Sequence, residues 1–189
     1  MRHKYDTSAI VLARAHTGEA TTLVTLLTAD LGLVQARAQS VRKEGAKLAF
    51  GLVTLAESRV MLVHGKEGWR LTGVVLEENW FFRLPGPAAQ ETVGRVLGLL
   101  LRLVAGEAQD RELFPIMREF LESLATRPEP LHEAIEMLAV LRFLAALGLD
   151  TGELPSGAGG QVNELLNAIL RDRTMYIDRI NTGIVASGL

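Results

Sequence analysis

Leu33-Val34-Gln35-Ala36-Arg37-Ala38-Gln39 alternates two sets of side chains: Val34, Ala36 and Ala38 on one side, Gln35, Arg37 and Gln39 on the other. A two-residue period puts each set on its own face of a strand, so this segment predicts a half-buried strand with Arg37 projecting into solvent. Runs rich in Val, Thr, Leu or Ile lie on either side of it, at Ser8–Ala15, Thr22–Thr28, Leu52–Val63 and Trp69–Glu77, and bring the expected strands to five. The connections carry turn chemistry. Asp30-Leu31-Gly32 suits a short hairpin loop with Gly32 at positive φ, and His64-Gly65-Lys66-Glu67-Gly68 suits a longer one. Five short strands in so little chain favour closure into a small barrel, which removes exposed edges. An OB-fold is the expected architecture.

After Trp80-Phe81-Phe82 the period becomes helical. Leu84-Pro85-Gly86-Pro87 breaks the chain, and Val93, Val96, Leu97, Leu100, Leu101 and Val104 then recur at helical spacing over Ala88–Val104, with Gly106 as the stop. A second helix is expected from near Asp110, with Phe114, Met117, Phe120, Leu121 and Leu124 buried; Pro115 either starts its regular part or kinks it. A third, Leu131–Leu147, ends at Gly148, placed as a C-terminal glycine cap should be. Thr151–Gly160 reads as a loop, and a last helical stretch runs from Gln161 to Arg173, with Met175–Ala186 as its continuation. The expected fold class is therefore α+β: a five-stranded OB-fold barrel over residues 1–80, then an all-helical domain over 81–189. Trp80, Phe81 and Phe82 are expected to pack the barrel against the helices.

Composition narrows the function. The chain has 189 residues, 48% of them hydrophobic, which suffices for a sizeable core and excludes a disordered chain. It has no cysteine, which removes disulfides, thiolate nucleophiles, haem attachment and every Cys-based zinc site. Val96–Val104, the longest apolar run, is interrupted by Arg102 and falls far short of the roughly 20 residues that span a bilayer. The basic start, Met1–Asp6, leads into a strand-like stretch without a cleavage signature, so a soluble cytoplasmic protein with no membrane partner is expected. His3, His16, His64 and His132 lack metal-ligand spacing, and no HExxH, GxSxG or Walker-type loop occurs. Gly157-Ala158-Gly159-Gly160 lacks the strand before it and the Lys-Ser/Thr after it that a phosphate cradle needs, and Glu77-Glu78 and Glu133/Glu136 read as solvated faces. Neither catalysis nor a cofactor is expected.

Charge is segregated along the chain. Residues 1–70 hold ten Lys and Arg against six carboxylates, whereas residues 71–189 hold ten Arg against sixteen. All four lysines lie in the first segment. The basic stretch Arg42-Lys43-Glu44-Gly45-Ala46-Lys47 leaves the Leu33–Gln39 strand close to Arg37, so several cations could share one patch. Such cations neutralise phosphates without demanding a base sequence; a solubilising loop is the other reading. Trp69, Phe50 and Tyr5 are the nearby rings for base stacking, with core packing as their alternative role.

The ordered set of a first strand, Thr17-Gly18-Glu19-Ala20, Leu23–Thr28, Gly32, Leu33–Ala38, Val41-Arg42-Lys43 with Lys47-Leu48, a long strand, and Leu71–Glu77 resembles the N-terminal domain of the RecO DNA repair proteins. The resemblance covers roughly residues 6–80. It implies a non-enzymatic recombination mediator that binds single- and double-stranded DNA, anneals strands, and assists RecA loading together with a RecR-type protein and the single-strand binding protein. Arg37, Arg42, Lys43 and Lys47 match the family's basic strand and loop, and with Lys66 they are the expected DNA contacts. Arg102 and Arg142 are the cations that could serve a pocket for the tail of the single-strand binding protein.

Departures from the family pattern carry their own expectations. Gln39-Ser40, Ala46 and Thr54-Leu55 replace the family's Lys-Gly, Ser and Pro-Phe, implying weaker affinity. Thr151–Gly160 stands where many members carry a four-cysteine zinc site and offers no ligand, so no metal is expected. The chain is short for the family, implying that some C-terminal helices are missing. A barrel and bundle that dock partner proteins without nucleic acid, and a small hydrolase or transferase using exposed carboxylates, are the rival readings.

Overall fold

The computed structural model describes residues 3–17, 21–39, 50–104, 106–153 and 162–189. Five strands form a closed barrel in the order β1-β2-β3-β5-β4: β1 Lys4–His16, β2 Thr21–Thr28, β3 Gly32–Gln39, β4 Ala56–Gly65 and β5 Gly68–Asn79. All pairings are antiparallel except β3 with β5, which is parallel, and β4 returns to β1 to close the ring. This is the expected OB-fold. One strand, β1, must pair with two neighbours: residues 4–10 face β4 and residues 9–16 face β2. A bulge between Val11 and Ala13 supplies the bend that this double duty requires.

Alternation works as read. In β3, Val34, Ala36 and Ala38 are buried while Gln35, Arg37 and Gln39 are exposed. They join Ala9, Val11, Val24, Leu26, Val60, Leu62 and Leu71 in the barrel core. Gly32 has φ +70°, as its turn demands, and the Thr28 hydroxyl locks that turn by donating to the Gly32 carbonyl at 2.8 Å and accepting from the Leu31 amide at 3.0 Å.

Three local expectations need correction. The long run expected from Leu52 becomes a strand only at Ala56, because Phe50–Leu52 forms a 3-10 turn and Leu55 takes φ +68°. Leu55 is held there by its amide bond to the Val11 carbonyl and by accepting from the Trp80 amide. The β4–β5 connection is tighter than expected, since Gly65 pairs with Gly68 and only Lys66 and Glu67 form the turn. Of the three aromatics expected to pack against helices, only Trp80 is buried: its indole donates to Glu57 at 2.9 Å, while Phe81 and Phe82 are 45% and 81% exposed.

The chain divides into two units, residues 1–83 with 106–115, and residues 84–105 with 116–189. The single cut expected after residue 80 therefore misses a segment that belongs with the barrel. Its attachment is a backbone bridge in which Leu33 and Ala108 exchange hydrogen bonds of 2.8 and 3.1 Å, and the Gln35 amide donates to Glu107. A short helix, α1 (Trp80–Arg83), follows β5.

The remaining helices are α2 Pro87–Leu103, α3 Leu113–Thr126, α4 His132–Ala146, α5 Val162–Arg171 and α6 Arg173–Ala186. Pro87 opens α2, where its missing N–H costs nothing, and Asp110 caps the turn ahead of α3 by accepting from the Glu112 amide. In α3, Pro115 falls in the first turn. Nearly every side of α4 is buried, and it packs against α2, α5 and α6. Gly148, at φ +71°, terminates it. Helix α6 runs through Gly183, where a Cβ would lie 2.9 Å from the Leu144 side chain of α4, so glycine permits the close approach. Beyond α4, the Arg179 guanidinium binds the Asp150 carboxylate and the Gly152 and Glu153 carbonyls.

Candidate nucleic-acid interface

Arg37 stands on the outer face of β3, directly opposite Arg70 in the parallel β3–β5 register. Both are exposed. Lys66, at the tip of the β4–β5 turn, is exposed as well, and among the described residues neither Lys66 nor Arg70 has an ion-pair partner. Arg37 does have one: its Nη1 lies 3.0 Å from Glu67 Oε2, with side-chain exposures of 49% and 88%. A pair so open to water is worth roughly 0–1 kcal/mol, so it does not commit the guanidinium.

These groups rim an open concavity of about 1000 Å³. Its lining comes from Thr17 and Thr21 at the two ends of the β1–β2 connection, Arg37 and Gln39 on β3, and residues 63–70 of the β4–β5 hairpin. Trp69 lies half-buried in its wall with two rings edge-on to it, Tyr5 at 5.2 Å and His64 at 4.6 Å between centroids. The arrangement offers cations for phosphates and π-faces for bases within one solvent-open surface.

Of the expected DNA contacts, the structure brings Arg37 and Lys66 to this one surface. Arg42, Lys43 and Lys47, like Gly18 and Glu19, lie outside the described residues. Arg70 was missed as a site residue. Its signal is the cross-strand partner of Arg37, which sequence cannot supply because β3 and β5 are separated by β4. Phe50, the third ring considered for stacking, is 75% exposed but does not line the concavity.

The two cations expected to serve a partner pocket are not brought to one site. Arg102 is exposed in the last turn of α2. Arg142, on α4, borders a shallow groove between Phe120, Ile135, Leu138 and Leu166, and its Nη1 is 2.6 Å from Glu119 Oε2. That groove encloses only about 10 Å³. Among the described residues no three His, Asp or Glu side chains converge, and no helix is long and apolar enough to cross a membrane.

Strand order, the parallel β3–β5 seam and a basic, aromatic-walled concavity across β3 and the β1–β2 and β4–β5 connections define an OB-fold barrel with this face open to solvent. Residues 1–78 match the family described as Recombination protein O N terminal. A DNA repair protein RecO of Dehalococcoides mccartyi is 44% identical over 128 residues, covering 68% of this chain and 51% of its own length. Another, of Heliobacterium modesticaldum, is 30% identical over 157 residues, covering 79% of this chain and 56% of its own length. A third, of Gloeothece citriformis, is 26% identical over 157 residues, with coverages of 79% and 53%. The chain belongs to the RecO family, and it spans about half the length of the curated relatives it matches.

Proposed function

We propose that this chain is a non-enzymatic DNA-binding mediator of recombinational repair, which holds single and double strands on its OB face and anneals complementary strands. In this reading it assists RecA loading with a RecR-type protein and the tail of the single-strand binding protein. The observation that carries the proposal is the solvent-open clustering of Arg37, Lys66 and Arg70 over the β3 and β4–β5 surface, where OB-folds take oligonucleotides.

Salt tests it. Three phosphate contacts to a single strand give a slope near −2 in log K against log salt, so affinity should fall about 20-fold between roughly 50 and 200 mM. Fluorescence anisotropy of a labelled oligonucleotide reads this directly, and Arg37→Glu with Arg70→Glu should remove most of the binding. Unchanged affinity in that double variant, or no binding at the lower salt, would sink the proposal in favour of a protein-docking module. Phe82, Val75 and Phe81, exposed at 81%, 67% and 45%, are the observation that favours that second reading.

A further inference from the structure

Side chains alternate along a strand, so Tyr5 points the same way as the buried Thr7 and Ala9, His64 the same way as Val60 and Leu62, and Trp69 the same way as Leu71. All three rings thus belong to the inward-facing set, at the end of the barrel where β1 begins, β4 ends and β5 begins. His64 and Trp69 are directly paired across the hairpin. Trp69 packs down on the core cluster, whereas His64 stands exposed above it with the two ring planes inclined by 68°. Tyr5 braces the indole in turn, inclined by 74° and 37% exposed.

An edge-to-face pair that only plugged a barrel mouth would add roughly 0.5–1.5 kcal/mol to its stability and need not line a concavity. Here the His64–Trp69 pair forms part of the wall of the concavity whose rim carries Arg37, Lys66 and Arg70. We propose that the His64–Trp69 pair is a stacking site for one unpaired nucleobase, with the neighbouring cations on its flanking phosphates, so that this face selects single strands over duplex. The inference rests on the DNA-binding reading above and adds to it the feature that distinguishes strands. Phosphate contacts alone favour the more densely charged duplex, whereas a duplex base must be unpaired and unstacked, at a cost of a few kcal/mol, before an aromatic can take it, so the stacked base is what turns the preference toward single strands.

The test uses the whole chain and two probes of about fifteen nucleotides, within the span of one OB-fold or its margin: an oligothymidylate and an abasic oligomer of equal length and charge. The chain has two tryptophans, and Trp80 is only 1% exposed, so quenching on binding reports Trp69. The oligothymidylate should quench and bind at least about fivefold more tightly than the abasic oligomer, the low end of one base stacked on an aromatic. His64→Ala should lower oligothymidylate affinity more than abasic affinity, narrowing the gap between the two probes. Equal affinities in the native chain with no quenching would overturn the stacking site and leave the phosphate-binding face standing. Failure of both probes to bind at about 50 mM salt would overturn the DNA reading itself, and the stacking site with it.

Discussion

Among the described residues Glu67 is the one carboxylate lining a concavity that also carries Arg37, Lys66 and Arg70, and it sits 3.0 Å from the Arg37 guanidinium. Replacing it by glutamine keeps the side chain's shape and removes the competing charge. Exposed pairs of this kind contribute roughly 0–1 kcal/mol, so a phosphate displacing Glu67 from Arg37 gives up at most about a factor of five. Glu67→Gln should therefore bind a single strand two- to fivefold more tightly at about 50 mM salt. The salt slope should stay at about −2, because Arg37 already counts as one of the three phosphate contacts in the native chain. Anisotropy titrations of both proteins at four salt concentrations measure affinity and slope together. Folding stability should stay within about 0.5 kcal/mol, since the site is on the surface. Unchanged affinity would mean that no phosphate comes near the Glu67 charge, and weaker binding would mean that Glu67 helps to hold the ligand; either result refutes the assignment of this face.

Two further perturbations test the scaffold. Gly32→Ala places a methyl group 2.1 Å from the Ala108 carbonyl at a φ of +70°. With left-handed strain of roughly 1–2 kcal/mol and about 1 kcal/mol for each bridge bond lost, urea unfolding should show a loss near 3 kcal/mol; a loss below about 1 kcal/mol would refute the bridge. At the far end of α4, hydrogen bonding from Arg179, then from the Gly152 amide, holds the Asp150 carboxyl below its ordinary range against the opposing effect of burial. A depressed folded value means that the stabilisation is complete above the unfolded pKa near 3.9 and disappears as pH falls through the folded value. Asp150→Asn should cost about 1–3 kcal/mol at neutral pH, with the gap to the native chain closing in acid; a gap that persists unchanged below about pH 3 would contradict this ion pair.

The existence of β3 was legible because one of its faces is dry and the other wet, residue by residue from Val34 to Gln39. A helix end was legible where a single residue type decides it, as at Gly148, while Pro87, read as part of a break, itself opens α2. What escaped was set by contacts between distant segments. Leu55 adopts a positive φ through bonds to Val11 and Trp80, and no local preference of leucine announces that. Phe81 and Phe82 look like core residues on hydropathy, yet both face solvent. At the candidate site, Arg37 could be placed outward from its own strand, and Lys66 from its turn. Arg70 and the His64–Trp69 contact emerge only from the register of β5 against its two neighbours.

The same register explains why the barrel draws on chain beyond α2. Parallel pairing between β3 and β5 is confined to Ala36–Trp69 and Arg37–Arg70, so the first residues of β3 have β2 on one side and no strand on the other. An open edge there would leave the Leu33 and Gln35 backbone groups unpaired beside a fully buried leucine. Glu107 and Ala108 meet those groups with one side-chain and two backbone hydrogen bonds. Gly32 is the residue that allows the approach, since its missing Cβ is what admits the Ala108 carbonyl. The glycine that first reads as a turn former thus has a second duty, and the short β3–β5 seam sets both. It leaves the upper edge of β3 for residues 106–110 to cover, and it places Arg37 beside Arg70 where the seam holds.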